Sequence, residues 1–103
     1  MGDGKHSPLT EPMLYVLMAF LRQERCGTEI TQFVSDKTGG RVRLGPGTLY
    51  TLLGKFQEEK LIEETQVDGR KRTYRLTHLG RTVYEEEVER LRSCLRDAEE
   101  ELL

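Results

Sequence analysis

Two groups of residues in this 103-residue chain have the types and spacing to do chemistry. The first is Arg70-Lys71-Arg72, three consecutive cations directly after Asp68-Gly69. Cations at the tip of a turn can neutralise phosphates, and each phosphate neutralised releases counterions from a nucleic acid. The second is Gly47-Thr48-Leu49-Tyr50-Thr51, followed by Gly54-Lys55. On a helix, Gly47, Thr51, Gly54, Lys55 and Glu58 share one face with Thr48 and Tyr50 at its margins, opposite Leu49, Leu52, Leu53 and Phe56. Short side chains let a helix approach base edges in a major groove, and Thr48, Tyr50 and Lys55 are long enough to reach phosphates or bases. Arg41 and Arg43 stand just ahead of this segment, where they either join the basic surface or pair with Glu58 or Glu59.

Catalysis has almost no foothold. His6 lies near the N-terminus and His78 before the last long amphipathic segment, and no serine or cysteine forms a nucleophile motif with either. Gly40 and Gly45 have the opening spacing of a P-loop, but Pro46-Gly47 stands where Lys-Ser/Thr is required. Cys26 and Cys94 share no metal or redox spacing, so the expectation is no enzyme, no metal and no cofactor. The longest apolar run, Met13 to Leu21, falls far short of the ~20 residues of a membrane span. MGDGKHSP lacks the apolar stretch of a secretory signal, which with the cysteine usage points to the cytoplasm.

A net charge of −2 conceals an uneven distribution. Residues 41–75 carry eight Lys/Arg and five Asp/Glu, whereas residues 76–103 carry four and eight. A basic middle and an acidic end are what one polyanion-facing surface and one averted surface would require.

The elements that must position these residues follow from periodicity and punctuation. Residues 1–9 read as a flexible leader. Thr10 caps a helix that carries Met13, Leu14, Leu17, Met18 and Leu21 to about Gln23, and Thr28 caps a second that ends at Gly39-Gly40. Arg41-Val42-Arg43-Leu44 alternates as a brief strand with both arginines on one side. Pro46 opens the third helix, which ends near Lys60. Leu61–Val67 and Arg70–Leu76 flank Asp68-Gly69 as a hairpin with a type I′ turn. Thr77 caps a last helix of about 39 Å running to the chain end. Three helices followed by a hairpin is the order of a winged helix-turn-helix, so the expected fold is α+β: a DNA-binding domain over 10–76 with a two-stranded wing, and a long C-terminal dimerisation helix over 77–103.

From Gly39 to Gly80 the chain resembles the PadR-like transcriptional regulators. The block Gly39-Gly40-Arg41-Val42-Arg43-Leu44-Gly45-Pro46-Gly47-Thr48-Leu49-Tyr50 is similar to that family's glycine pair and Ser-Pro-Gly-Thr-Leu-Tyr signature, followed by Leu52-Leu53, Leu61-Ile62 and Arg70 to Thr77. Thr28, Gly45 and Thr51 replace the family's usual aromatic, serine and proline. The resemblance, to the compact branch with one C-terminal helix, implies a homodimer that often represses genes and responds to small molecules.

Tyr84, Val88, Leu91, Leu95, Ala98 and Leu102 form a heptad seam, which either lies over the first helix of its own chain or pairs with a second copy. Dimerisation is the favoured expectation, with Met13, Leu14 and Leu17 of the first helix completing the interface. Glu85-Glu86-Glu87 reads as a solvated face. Tyr15, Met18, Phe20, Tyr84 and Cys94 are the candidates to line a pocket for a small hydrophobic or aromatic effector, although ordinary core packing would use the same residues. The expected partners are then a pseudo-palindromic double-stranded operator, a second copy and an effector. The competing reading is a dimeric protein-interaction adaptor that uses the winged fold without DNA.

Overall fold

The computed structural model describes residues 8–103. Its elements are α1 (Glu11–Met18), β1 (Arg25–Cys26), α2 (Gly27–Thr38), α3 (Pro46–Glu58), β2 (Ile62–Asp68), β3 (Lys71–Leu76) and α4 (His78–Glu100). The strands form an antiparallel sheet in the order β1-β3-β2. The wing is therefore the hairpin β2–β3, with the two-residue β1 added along β3. Of the expected leader, residues 1–7 lie outside the described residues, while Leu9 already packs against the core.

Local chemistry accounts for each helix boundary. The Met13 N–H donates to the Thr10 hydroxyl, and Pro12 sits in the first turn of α1. This helix stops at Met18, short of the expected Gln23, where the backbone tightens: the Phe20 and Leu21 N–H groups donate three residues back, to the Leu17 and Met18 carbonyls. Arg25 donates to Ala19 and Arg81 to Leu21, so the chain can bend and bury Phe20. Cys26, rather than Thr28, is the cap of α2: its N–H donates to the Glu29 carboxylate at 2.8 Å. Gly39 ends α2 at φ +61°, the left-handed position that favours glycine.

Residues 41–44 do not form the expected strand. Val42 and Leu44 are buried and the two arginines exposed, so the alternation is real, but the Val42 N–H is taken by the Thr38 hydroxyl at 3.1 Å and no strand pairs with it. The hairpin turn is displaced by one residue from the expected Asp68-Gly69. Asp68 pairs with Lys71, leaving Gly69-Arg70 as the loop, and only Gly69 has positive φ there, at +63°. That sign pattern fits a type II′ rather than a type I′ turn.

The core is assembled from Val16, Leu17 and Phe20, from Ile30 and Val34 of α2, Leu49, Leu53 and Phe56 of α3, and Ile62 and Tyr74 of the sheet. Where α4 crosses this body, Thr77 holds its start. The hydroxyl donates to the Lys60 and Leu61 carbonyls while accepting from the Gly80 N–H. The crossing is tight enough that a Cβ at Gly80 would stand 2.1 Å from the Leu61 carbonyl oxygen. Glycine is required at this position by the close approach.

The α4 helix carries a further correction. Glu87 is not part of a solvated face; it is 6% exposed and turned inward beside Val83. Its carboxylate accepts from Arg90 at 2.6 and 3.0 Å. That pairing holds the Glu87 pKa below the usual carboxylate range, against the upward push of burial and with further help from the Leu9 backbone. From residue 89 onward every residue of α4 is exposed, and the molecule extends to 54 Å along its longest axis.

Candidate nucleic-acid interface

The face of α3 opposite Leu49, Leu53 and Phe56 is open to solvent, and it presents Gly47, Thr48, Thr51, Gly54 and Lys55. Tyr50 is 57% exposed and leans toward the start of α2, where a Cβ at Gly27 would lie 3.1 Å from its hydroxyl oxygen. The absence of a side chain at Gly27 thus makes room for Tyr50. Nothing in the periodicity marks Gly27, since it is a long-range neighbour that makes it matter.

On the other side of Tyr50 stands the wing. Tyr50, Arg70, Lys71 and Arg72 line one hollow of about 370 Å³ together with Cys26, Gly27, Thr28 and Glu29 of β1 and α2. The pairing of Cys26 with Thr73 sets this geometry by bringing the start of α2 beside the wing. A second groove of about 330 Å³ runs between α2 and α3, lined by Thr28, Thr31, Gln32, Leu44, Pro46 and Tyr50 among others. In the sequence Thr28 stood out only as a helix cap and as a departure from the family's aromatic, and Glu29 and Gln32 not at all, because they belong to a helix whose chemistry is ordinary until β1 places it next to the hairpin.

The cations differ in how they are held. Arg41 is turned away from α3 toward α1, pairing with Glu11 and donating to the Tyr15 hydroxyl at 3.2 Å, so neither Glu58 nor Glu59 is its partner. Arg43 donates to the Gly40 carbonyl at 3.0 Å. Lys55 pairs with Glu59 at 2.9 Å one turn along its helix. Arg72 pairs with Glu64 at 2.8 Å, which raises its pKa through that hydrogen bond and charge. Among the described residues Arg70 and Lys71 form no ion pair. Glu29 lies low in pKa because it accepts from Cys26, with Lys71 and Arg25 adding smaller electrostatic contributions.

The other two groups of candidates are separated by the fold. Leu17 is fully buried in its own core at 0% exposure, so it cannot reach a second chain. Met13, Leu14, Tyr84 and Val88 are half-buried, and Leu91, Leu95, Ala98 and Leu102 are exposed. Of the effector candidates, Met18 and Tyr84 line a hollow of about 540 Å³ with Leu21, Arg22, Phe33 and Lys37. Burial raises the Tyr84 pKa, with a smaller contribution from Tyr15. Phe20 is a core side chain, and Cys94 stands ten residues beyond Tyr84 on the exposed helix, about 15 Å away at 1.5 Å per residue. Tyr15 packs against the core and engages Arg41. Among the described residues no three His, Cys, Asp or Glu side chains gather as a metal centre would need, and no helix is long and apolar enough to cross a membrane.

Comparison with known proteins agrees with the architecture. The model of the transcriptional regulator PadR-like family matches residues 14–86. An uncharacterized protein of Lysinibacillus sphaericus is 30% identical over 77 residues, which is 71% of this chain and 71% of that one. A PadR family transcription regulator from Clostridium difficile superposes with a TM-score of 0.75 at 18% identity, covering 88% of this chain and 97% of that chain. Bacillus subtilis PadR, solved in complex with operator DNA, gives a TM-score of 0.66 at 21% identity over 75% of this chain and 46% of its own. The chain belongs to the PadR-like family of transcriptional regulators.

Proposed function

From that membership we propose that the chain is a homodimeric, sequence-specific DNA-binding repressor acting in the cytoplasm and released by a small-molecule effector. One observation carries the reading: Tyr50, at the margin of the exposed α3 face of small and polar residues, lines one hollow with Arg70, Lys71 and Arg72 of the basic wing tip. In this reading α3 enters the major groove, with Gly47, Thr51 and Gly54 allowing close approach and Thr48 and Tyr50 contacting bases or backbone. Arg70, Lys71 and Arg72 take phosphates or a minor groove beside it. That Bacillus subtilis PadR was solved with operator DNA supports the assignment.

Two copies joined along the exposed residues Leu91, Leu95, Ala98 and Leu102 would cover an apolar stripe otherwise left to water. A two-fold dimer reads a pseudo-palindrome, with half-sites about one DNA turn, ~34 Å, or a multiple apart. The hollow beside Met18 and Tyr84 lies at the junction of head and long helix, where a hydrophobic or aromatic effector would change head spacing. It can shift DNA affinity only by as much as it prefers one spacing.

The test is selection of bound duplexes from a random DNA pool, followed by affinity across a salt series. A pseudo-palindromic winner with a steep salt dependence is expected. Weak, sequence-blind binding without enrichment would overturn the reading in favour of a protein-interaction adaptor, or of a regulator whose heads need a ligand before they fit DNA.

A further inference from the structure

We infer that Glu64 governs how firmly the wing grips DNA, by competing with phosphate for Arg72. The inference rests on the DNA-binding reading and adds to it a residue that acts through a contact residue without touching DNA itself.

The two side chains lie on one face of the hairpin. Glu64 stands across from Tyr74, and Arg72 precedes Tyr74 by two residues on β3, so the pair closes diagonally at 2.8 Å beside a buried ring. An irregularity in the ladder between Glu64 and Gln66 leaves Thr65 unpaired there, and the Thr65 hydroxyl is tied to Glu24 at 2.8 Å. The carboxylate end of the pair is the sheltered one, at 26% side-chain exposure against 56% for Arg72. Glu64 is thus the fixed partner and the guanidinium the one able to leave.

A guanidinium recognises carboxylate and phosphate through the same fork of donors, so Arg72 can engage one or the other. Arg70 and Lys71 at the tip carry no such partner among the described residues. The wing tip of the free protein therefore offers Arg70 and Lys71 as available cations and holds Arg72 in reserve. Contact between Arg72 and DNA requires exchanging the Glu64 carboxylate for a phosphate. This lowers the sequence-independent component of binding and leaves more of the discrimination to α3.

Glu63 supplies the internal control. It is the neighbouring residue on β2, turned to the opposite face, and pairs with Arg75 at 2.7 Å. Glu63→Gln makes the same change in net charge as Glu64→Gln without releasing Arg72.

The experiment measures binding of one fluorescent duplex, the best binder from the selection, by the intact protein and its variants over a salt series. Binding by the unsubstituted protein comes first; if it binds no duplex, the DNA-binding reading itself fails. Given binding, Glu64→Gln is expected to tighten it by about three- to fivefold at low salt and to steepen the salt slope by about one, more than Glu63→Gln does. With Arg72→Ala in the background, the two glutamine variants are expected to become equal. Thermal melts confirm that each variant is folded, and Glu64→Asp, which shortens the fixed arm of the pair, is expected to fall between glutamate and glutamine. Equal effects of Glu64→Gln and Glu63→Gln in the unsubstituted background, or weaker binding by Glu64→Gln, would overturn the inference.

Discussion

The two halves of α4 share one helix and one amphipathic spacing, yet the fold treats them in opposite ways. Between His78 and Val88 the helix is built into the body, with Gly80, Val83 and Glu87 buried and Tyr84 and Val88 half-buried. From Leu91 onward the same spacing faces solvent, with Leu95 58% and Leu102 85% exposed. Periodicity reports that a stripe needs cover, and only the reach of the body decides whether the same chain supplies it. Even the stripe that is covered differs from the heptad seam: Gly80, Val83 and Glu87, its buried residues, are not seam positions.

The largest effect that would break this contrast is expected at the anchored half. Gly80→Ala places a Cβ 2.1 Å from the Leu61 carbonyl oxygen and 2.7 Å from Leu76 Cδ1, so the helix must move off the body. A loss of about 3 kcal/mol in denaturant unfolding is expected. In the free half, Leu95→Glu is expected to weaken self-association by about 2 kcal/mol in sedimentation while leaving the far-ultraviolet circular dichroism of the head unchanged. If instead Leu95→Glu unfolds the head, the two halves are one cooperative unit and the contrast fails.

Smaller effects sharpen it. Arg90→Ala leaves the Glu87 carboxylate buried without its main partner, and a fall of a few degrees in Tm is expected, restored in part by Glu87→Gln. Because the folded-state pKa of Glu87 is depressed, its contribution is present above the unfolded value of about 4.5 and is lost as pH falls through the lower folded value. The acid limb of a stability–pH curve should therefore flatten in Glu87→Gln. Lys71→Ala, remote from α4, is expected to leave Tm unchanged, weaken binding of all duplexes alike and reduce the salt slope by about one. Thr51→Arg is expected to alter sequence preference instead.

How much of the site was legible depends on whether its residues are neighbours in the chain. The open face of α3 could be read from helical spacing alone, because Leu49, Leu53 and Phe56 claim the opposite side. The wing could be read from two β-prone runs about a glycine turn, and only the loop position moved by one residue. Thr28, Glu29 and Gly27 were invisible as site residues, since their role arises from the two-residue strand β1 pairing with β3 more than forty positions later. Arg41 illustrates the reverse: a basic residue close ahead of α3 in the chain was captured by Glu11, thirty residues earlier. Glu87, placed in an acidic run that looked solvated, is turned inward where α4 is built into the body, beside Val83 and the Leu9 backbone.

The sequence by itself determined the four helices and the hairpin in their order, the polar face of α3 and the basic tip of the hairpin, because these depend on spacing and turn chemistry within a few residues. Only the tertiary structure decided which cations are free and which are held, that Glu87 is buried, that Gly80 is required, and where the stripe along α4 loses its cover. Most of these depend on contacts between residues far apart in the chain, of which local periodicity carries no record.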